Sequence, residues 1–311
     1  MISVVTTLYR SAPYLDEFYR RVKESVAAIS DDYEIVMVND GSPDDSLTLA
    51  IALSEQDSRV KVIDLSRNFG HHNAIVAGLN YARGDYVFLI DVDLEEQPEW
   101  LAGFYQELHD SDADLVYGVQ SKRKGGLLKG NFTGLFYTCF NLLSETKVPK
   151  NSCTVRLMRR RYLDALLSLK ESSLFLAGSF SWAGFHQKEI TVEKSLRQQK
   201  SSYNVFRMLK LLMNAVIGFS SFPLVLAFVC GTIISLVSGL IGGGLFVRKL
   251  FLAESLAPGW TSVMVSLWFL GGLMIFFVGL VGLYLSKTYL ETKRRPLYLV
   301  REVYGEEANK S

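Results

Sequence analysis

The sequence predicts an α/β domain built on a mostly parallel sheet, followed by two membrane-spanning helices that form a hairpin. Short apolar runs rich in β-branched residues alternate with amphipathic stretches in the first half of the chain, at 2–8, 34–38, 60–65, 86–90 and 114–119. Such alternation is typical of a parallel sheet that helices cover on both faces. Two long charge-free segments then occupy the last third of the 311 residues.

The charge-free segments lie between Lys210 and Arg248 and between Glu254 and Lys287. As helices, segments of this length reach roughly 50 Å, which exceeds the roughly 30 Å hydrocarbon core of a bilayer. We therefore predict membrane spans at 219–247 and 260–286. The connection between them is short, so both ends of the hairpin are expected on the same side of the membrane.

The distribution of charge indicates which side that is. Basic residues flank the hairpin on both sides and outnumber those in its turn, namely Arg197, Lys200, Arg207, Lys210, Lys287, Lys293, Arg294, Arg295 and Arg301 against Arg248 and Lys249. Cytosolic segments carry this excess, so both termini are expected in the cytosol. The formal net charge of +1 conceals an asymmetry, because carboxylates are concentrated in the first half while the last hundred residues are apolar with basic ends. This pattern favours a membrane over nucleic acid as the partner. The three cysteines have no metal-ligand spacing and are expected to be reduced.

These patterns divide the chain into five regions. We expect a cytosolic domain over 1–200, an amphipathic interfacial helix over 201–218, the two spans, and a basic cytosolic tail over 287–311. The segment before the first span mixes apolar and basic residues, as a helix that lies in the membrane interface does. The aromatic-rich segment 127–143 fits a second interfacial helix and a core-facing helix equally well.

Two predicted strands deliver acidic residues at their carboxyl ends. The fourth strand ends at Asp91 and Asp93, a pair able to reach one cation, and hard oxygen ligands suit Mg²⁺ or Mn²⁺. The second strand leads into Asp40, which can accept from a base N–H or a ribose hydroxyl. Each acid taken alone also fits a solvated strand end or an Asx turn. Ligands of such sheets bind beyond the carboxyl ends of the strands, which favours a binding site here.

The segment after the third strand, Ser66-Arg-Asn-Phe-Gly-His-His-Asn73, opens a helix. Arg67 and the helix N-terminus are suited to an anion. His71 and His72 are adjacent in sequence and no third ligand has suitable spacing, so we interpret both as polar surface or pocket lining.

Taken together, these strand ends resemble glycosyltransferase family 2. The resemblance covers nearly the whole chain, and its polyprenyl-phosphate branch is similar in five motifs: Arg67-Asn-Phe-Gly70, Asp91-Val-Asp-Leu-Glu-Glu-Gln-Pro-Glu99, Arg156-Leu-Met158, Ser181-Trp182 and the stretch from Lys287 to Pro296. That branch includes dolichol-phosphate mannosyltransferases and bactoprenol glucosyltransferases. The resemblance implies a GT-A-like nucleotide-sugar fold, an integral membrane protein of the bacterial inner membrane, and an inverting metal-dependent transfer of a hexose from a nucleotide-diphosphate sugar, UDP-glucose-like, to polyprenyl phosphate.

The resemblance also implies roles for individual residues. Asp91 and Asp93 would hold the metal, and with Arg156 they are the predicted catalytic residues. The predicted nucleotide-sugar site comprises Thr7, Tyr9, Asp40, Arg67, Gly70 and Asp91. The predicted receivers of the acceptor phosphate are Arg123, Arg156 and Arg197, although basic residues near a membrane also serve topology and anionic headgroups.

The sequence departs from the branch in two places, at the pair Glu95-Glu96 and at Thr154. Glu95 and Glu96 stand where Gln-Asp is usual and are expected to add negative charge beside the metal, and Thr154 stands where an acid is usual. A phosphate monoester has a second pKa of about 6 and needs no general base, unlike a sugar hydroxyl. The missing acid therefore favours a phosphate acceptor, with Glu95, Glu96 and Glu171 as alternative acids.

Three alternatives stay open at the level of sequence. The acceptor could be a hydroxyl of a lipid-linked glycan, or the protein could be a non-catalytic nucleotide-sugar-binding membrane module. Glycine stripes in the two spans are compatible with a homo-oligomer and with packing inside one hairpin.

Overall fold

The computed structural model describes residues 1–120, 147–149, 151–169, 176–194, 222–252 and 259–305. The chain divides into two compact units. The first contains the N-terminal part of the chain together with the segment that begins at Arg294, and the second contains the two long C-terminal helices.

In the described part of the chain the strands are β1 Ile2–Leu8, β2 Tyr33–Asn39, β3 Val60–Leu65, β4 Tyr86–Leu89, β5 Leu115–Gln120, β6 Ser152–Arg159, β7 Gln187–Val192 and β8 Val300–Tyr304. The helices are α1 Leu15–Ala27, α2 Ser46–Gln56, α3 His71–Tyr81, α4 Trp100–Asp110, α5 Arg160–Ser168, α6 Leu176–Trp182, α7 Phe222–Leu252 and α8 Trp260–Lys293.

The first unit is built around one eight-stranded sheet with the order β7-β5-β6-β4-β1-β2-β3-β8. Strands β1 to β4 are parallel to one another, β7 is parallel to β5, and β6 and β8 run in the opposite direction. The predicted fold class, a GT-A-like mostly parallel α/β sheet, is confirmed. Its five predicted strands match β1 to β5 to within a residue or so at each end.

Successive side chains of the central strands pack into two separate cores. Val4 and Leu8 of β1 face a core that includes Phe18 of α1 and Phe104 of α4. Val5 faces the other core, to which α3, α5 and α6 contribute. Because both faces are covered, β1 is buried throughout, which explains why its seven residues include no charged side chain and show no alternation of buried and exposed positions.

Helix α3 lies unusually close to the sheet. A Cβ added at Gly78 would stand 2.5 Å from Cγ1 of Val5 and 2.9 Å from Cγ2 of Val38. Only a residue without a side chain allows this approach, and the approach fixes where the first residue of α3, His71, meets the strand ends.

Strand β8 follows α8 in the chain and pairs antiparallel with β3. The sequence pattern predicted only a basic tail over 287–311, whereas α8 extends to Lys293 and β8 closes one edge of the sheet. The strand Val-Arg-Glu-Val-Tyr contains two charged residues among its five, and none of the five is fully buried, so it lacks the apolar run by which strands were predicted. Strand β7, which lies at the opposite edge, was missed for the same reason.

The second unit contains α7 and α8, which contact each other. Among the described residues one helical segment, Phe269–Lys293, is long and apolar enough to cross a bilayer, and Pro223–Ile234 is a shorter apolar segment. Large apolar side chains such as Phe228, Leu240 and Ile275 are exposed. The hairpin of two spans stays a prediction, and segments 201–218 and 127–143 lie outside the described residues.

Candidate functional site

The parallel strands β1 to β4 bring four chain turns to one edge of the sheet. Leu8 pairs with Asn39, Asn39 pairs with Asp64, and Val5 pairs with Leu89. Residues that follow these strands therefore share one edge, which is where ligands bind in open α/β sheets. The candidate site is the cluster of polar side chains at this edge.

Asp40 is buried at the carboxyl end of β2 and is held by the turn after β3. Its Oδ1 accepts from the backbone N–H of Phe69 at 2.7 Å, and its Oδ2 accepts from the N–H of Gly70 at 3.0 Å. Burial raises the pKa of this carboxyl, and the two backbone donors oppose that rise. Each oxygen keeps an acceptor position for a second partner, so Asp40 is able both to shape the turn and to accept from a ligand.

Gly41 allows the turn after β2 to approach the turn after β3. A Cβ at this position would stand 2.6 Å from the nitrogen of Asn68 and 2.8 Å from the carbonyl carbon of Arg67. Its φ of +60° is also one that side chains disfavour. Arg67 itself is exposed, and its guanidinium lies 4.1 Å from the centre of the Phe69 ring. The charge of Arg67 is therefore accessible to solvent at this edge of the sheet.

Asp91 and Asp93 follow β4 in the same turn and are both partly exposed. The backbone N–H of Glu95 donates to Oδ1 of Asp93 at 3.1 Å, which orders the turn. Burial raises the pKa of Asp91 to about 6. The positive charge of Lys194 and a hydrogen bond from the Thr154 side chain oppose this rise.

His71 lies between the ends of β1 and β4. Its Nδ1 is 3.1 Å from Oγ1 of Thr7, and its Nε2 is 3.6 Å from Oδ1 of Asp91. Although 48% of its side-chain surface is exposed, the protein groups around the ring remove part of its hydration and lower the pKa of His71 below its ordinary value. The sequence interpretation of His71 as pocket lining thus understated its contacts, since the ring joins two residues that were predicted to bind the donor.

The antiparallel strand β6 brings Thr154 to the same edge. Arg156 pairs with Leu89 at the end of β4, so residues that precede Arg156 extend beyond β4 toward the edge. Thr154 consequently reaches Asp91 with its side chain. At the position where the resembling branch has an acid, this chain has a neutral group that hydrogen-bonds a carboxylate.

Glu96 points into the protein and is fully buried. Its Oε1 accepts from the backbone N–H of Thr154 at 3.0 Å and from Nζ of Lys194 at 2.8 Å. Although burial alone would lower the pKa of Lys194, the ion pair with Glu96 raises it. Glu95 and Glu96 were expected to add negative charge beside the metal, and the structure shows that Lys194 neutralises the charge of Glu96. Its Oε2 also accepts from the backbone N–H of Asp91 at 3.5 Å, and its burial and these three partners argue against Glu96 as an alternative acid.

Arg156 is buried rather than displayed at the edge. Its guanidinium donates to the carbonyls of Cys153 at 2.8 Å and Thr154 at 2.9 Å, and it lies 3.5 Å from the centre of the Phe180 ring. Burial lowers its pKa to about 10. These contacts show that Arg156 supports the first residues of β6, and its predicted role toward a phosphate stays a prediction.

The remaining predicted site residues fall into two groups. Thr7 lies at the end of β1, and Tyr9 follows it with 48% of its surface exposed; both are at the candidate site. Arg123 and Arg197, predicted to receive an acceptor phosphate, lie outside the described residues, as does Glu171.

The residues present fit a divalent cation of the Mg²⁺ or Mn²⁺ type. Asp91 and Asp93 offer carboxylate oxygens on one ordered turn, and both remain accessible. Within the described ranges, no group of three or more His, Cys, Asp or Glu residues could hold a metal ion. Two carboxylates suit a cation that takes few protein ligands and completes its shell with water and substrate phosphates.

Sequence analysis missed the participation of Lys194. It lies 98 positions from Glu96, and no local pattern distinguishes it from a surface lysine. The only available signal was indirect, since a buried acid in a turn requires a cationic partner somewhere in the fold.

This sheet, with acids at the ends of β2 and β4, defines the chain as a glycosyltransferase of the GT-A-like class. It belongs to glycosyl transferase family 2, whose model matches residues 3–167. The predicted resemblance to the polyprenyl-phosphate branch of that family is confirmed by its relatives.

Relatives resemble the chain over nearly its whole length. A glycosyltransferase of Mycobacterium tuberculosis is 43% identical over 98% of this chain and 88% of its own. The bactoprenol glucosyl transferase of Shigella phage SfX is 32% identical over 96% of this chain and 98% of its own. Among solved structures, glucosyl-3-phosphoglycerate synthase from Mycobacterium tuberculosis, crystallised with Mn²⁺, UDP and phosphoglyceric acid, matches with a TM-score of 0.50 and 17% identity. That match covers 70% of this chain and 78% of the synthase.

Proposed function

We propose that this protein transfers a hexose from a nucleotide-diphosphate sugar to a polyprenyl phosphate in a membrane. The observation that carries the proposal is the placement of Asp40, Asp91 and Asp93 at one edge of a family 2 fold. Relatives named bactoprenol glucosyl transferase match almost end to end, which supports both a glucose-like donor and a polyprenyl acceptor.

In the proposed reaction one bond forms and one breaks at the anomeric carbon. An oxygen of the lipid phosphate attacks that carbon while the nucleoside diphosphate leaves from the opposite face, so the configuration inverts. A divalent cation held by Asp91 and Asp93 would neutralise the charge that develops on the leaving diphosphate. Asp40 and the turn after β3 are positioned to bind the nucleoside, and exposed Arg67 is available to the donor phosphates.

A phosphate acceptor agrees with the polar groups near Asp91. Thr154 replaces the usual acid and donates a hydrogen bond, and Glu96 is neutralised by Lys194. These two positions therefore offer no free carboxylate to take a proton from a sugar hydroxyl. An acceptor that is ionised before it binds, with a second pKa of about 6, needs no such base.

Exposed apolar side chains of α7 and α8 support membrane anchoring. Large contiguous apolar surfaces rarely face water on soluble proteins. In addition, Phe269–Lys293 has the length and composition of a membrane span. We propose that both C-terminal helices span the membrane with both termini in the cytosol, as the flanking basic residues indicate. An anchored enzyme would share the bilayer with its lipid acceptor.

The test uses the full-length protein in nanodiscs that contain undecaprenyl phosphate. Radiolabelled UDP-glucose and other nucleotide-diphosphate hexoses are supplied with Mg²⁺ or Mn²⁺, and label in the lipid phase is measured. We expect one donor to give a product that mild acid hydrolyses, as a glycosyl phosphodiester does. The Asp93→Asn variant should fold normally and lose the activity.

Two outcomes would favour the alternatives. An acid-stable product formed only when a lipid-linked glycan is added would indicate a hydroxyl acceptor. Binding of the donor without turnover on any lipid would indicate a non-catalytic module.

A further inference from the structure

The ring of His71 connects the ends of β1 and β4. Nδ1 lies within hydrogen-bond distance of the Thr7 hydroxyl, at 3.1 Å, and Nε2 lies 3.6 Å from Oδ1 of Asp91. A threonine hydroxyl is able to donate to Nδ1, which leaves the Nε2 hydrogen directed at the carboxylate. The ring therefore has one partner on each side.

His71 is itself held firmly in position. It is the first residue of α3, and the backbone that precedes it is fixed by the bond from Gly70 N–H to Asp40. Further along the helix, Gly78 packs directly on Val5 and Val38. The placement of the ring thus depends on the sheet and on the turn after β3 together.

Asp91 has donors on more than one side. Besides His71, the Thr154 side chain donates to it, and the charge of Lys194 acts on it from the end of β7. Of these three neighbours, His71 approaches Asp91 from the side of β1 and α3. A carboxylate with donors on both sides is limited in its rotation about the Cβ–Cγ bond.

We propose that His71 is a positioning residue that holds the Asp91 carboxylate in the orientation that binds a divalent cation. The proposal rests on the proposed function for the identity of the site. His71 acts through Asp91 and does not itself bind the cation, because its Nδ1 is engaged by Thr7 and its Nε2 is directed at the carboxylate. Loss of a hydrogen-bond partner that orients a metal ligand in this way typically weakens metal binding by roughly 10- to 100-fold.

The distance of 3.6 Å is slightly longer than a hydrogen bond. Contacts in catalytic sites are often long before substrate binds and shorten in the complex. The proposal accordingly predicts that the ring and carboxylate approach each other when the cation and nucleotide bind.

The experiment measures Mn²⁺ binding to the full-length protein by electron paramagnetic resonance of the free ion, with UDP in one arm and GDP in the other. We expect His71→Ala to weaken Mn²⁺ binding roughly 10-fold or more. His71→Gln retains an amide donor near the position of Nε2 and should recover part of the affinity. His72→Ala, which changes the neighbouring exposed histidine, is the matched control and should bind as the wild type does.

Thr7→Val provides a second, independent variant. If the hydroxyl acts through the ring, Thr7→Val should weaken Mn²⁺ binding in the wild type and have a much smaller effect in His71→Ala. Additive effects of the two substitutions would overturn the proposed link between Thr7 and Asp91.

Kinetics supply a further readout. A positioning role predicts that His71→Ala raises the Mn²⁺ concentration needed for half-maximal activity, with kcat largely recovered at saturating Mn²⁺. Unchanged Mn²⁺ affinity in a folded His71→Ala protein would overturn the inference. Failure of the proposed function would be distinguishable, because Mn²⁺ binding would then follow these predictions while no glycosyl lipid formed.

Discussion

Arg301, in the last strand of the sheet, donates from Nη1 to the carboxylate of Asp64 at 3.1 Å. Asp64 is 1% exposed, and its other oxygen accepts from the Asn39 side chain at 2.8 Å. Oδ1 of Asn39 in turn accepts from the backbone N–H of Ser42 at 3.2 Å. A continuous chain of polar contacts therefore leads from a strand that follows α8 to the turn after Asp40.

This chain predicts that Arg301→Ala destabilises the first unit. The substitution leaves a buried carboxylate with one partner fewer, which costs about 1–3 kcal/mol. It also removes the bond from Arg301 to the carbonyl of Ser66. Thermal unfolding of the full-length protein in detergent measures the loss, and Arg295→Ala, an exposed arginine of the same segment, is the control.

A double variant separates charge burial from general damage to β8. In Arg301→Ala/Asp64→Asn the buried group is neutral, so its unpaired state costs less and part of the stability should return. A double variant that is less stable than Arg301→Ala alone would contradict this account of the Arg301–Asp64 pair.

Gly41→Ala should lower both stability and nucleotide affinity. The new Cβ would collide with the backbone of the turn that holds Asp40, and it would occupy a left-handed conformation. We expect a loss of at least about 1 kcal/mol in the free energy of unfolding. Calorimetric binding of UDP or GDP should weaken in parallel.

Gly103 in α4 provides the control for this glycine substitution. A Cβ there meets nothing within 4 Å, and alanine is the better helix former by about 0.5–1 kcal/mol. Gly103→Ala should therefore leave nucleotide binding unchanged and should not lower stability. Equal losses in both variants would argue against the specific collision at position 41.

Asp91→Asn should raise stability at neutral pH when no divalent cation is present. The folded pKa of Asp91 is raised by burial to about 6, above its ordinary value of 3.8. Protonated Asp91 therefore contributes stability that is fully present below the pKa of the unfolded chain, 3.8. This contribution is lost as the pH rises through the folded pKa of about 6. Wild type should thus lose about 1–3 kcal/mol over this interval relative to the variant.

The comparison uses unfolding midpoints at pH 4 and pH 8 with a chelator present, and Asp16→Asn, at an exposed position, is the control. Addition of Mn²⁺ with a nucleoside diphosphate should stabilise wild type and have little effect on Asp91→Asn. A gap between the two proteins that is independent of pH would contradict a raised pKa at Asp91.

Substitution of Lys194 should shift the pH dependence of cation binding. The charge of Lys194 lowers the pKa of Asp91, so its removal should raise that pKa further. Because a carboxylate binds a cation only when deprotonated, half-maximal Mn²⁺ binding should then require a higher pH. Lys194→Met tests this shift, whereas the Glu96→Gln/Lys194→Met variant removes both charges of the pair and should shift the profile less.

Mn²⁺ titrations between pH 5 and pH 8 check this shift. The single variant Lys194→Met should in addition be markedly less stable than the double variant, since a buried acid without its partner costs several kcal/mol, about 3–5. An unshifted pH profile in a folded Lys194→Met protein would show that Lys194 does not act on Asp91.

The sequence by itself determined the central sheet and the acids of the site. Apolar runs predict strands β1 to β5, because a sheet that is covered on both faces requires strands rich in buried apolar residues. Asp40, Asp91 and Asp93 directly follow such runs, so their arrival at one edge follows from the parallel pairing of the strands.

Only the tertiary structure decided which side chains support those acids. His71 and Thr154 reach Asp91, Lys194 neutralises Glu96, and Arg301 pairs with Asp64 across 237 positions of sequence. The edge strands β7 and β8 likewise became evident only in the tertiary structure, because partly exposed strands need no apolar run. Local patterns record burial and turn chemistry, whereas a hydrogen bond or an ion pair between distant residues depends on strand order and register.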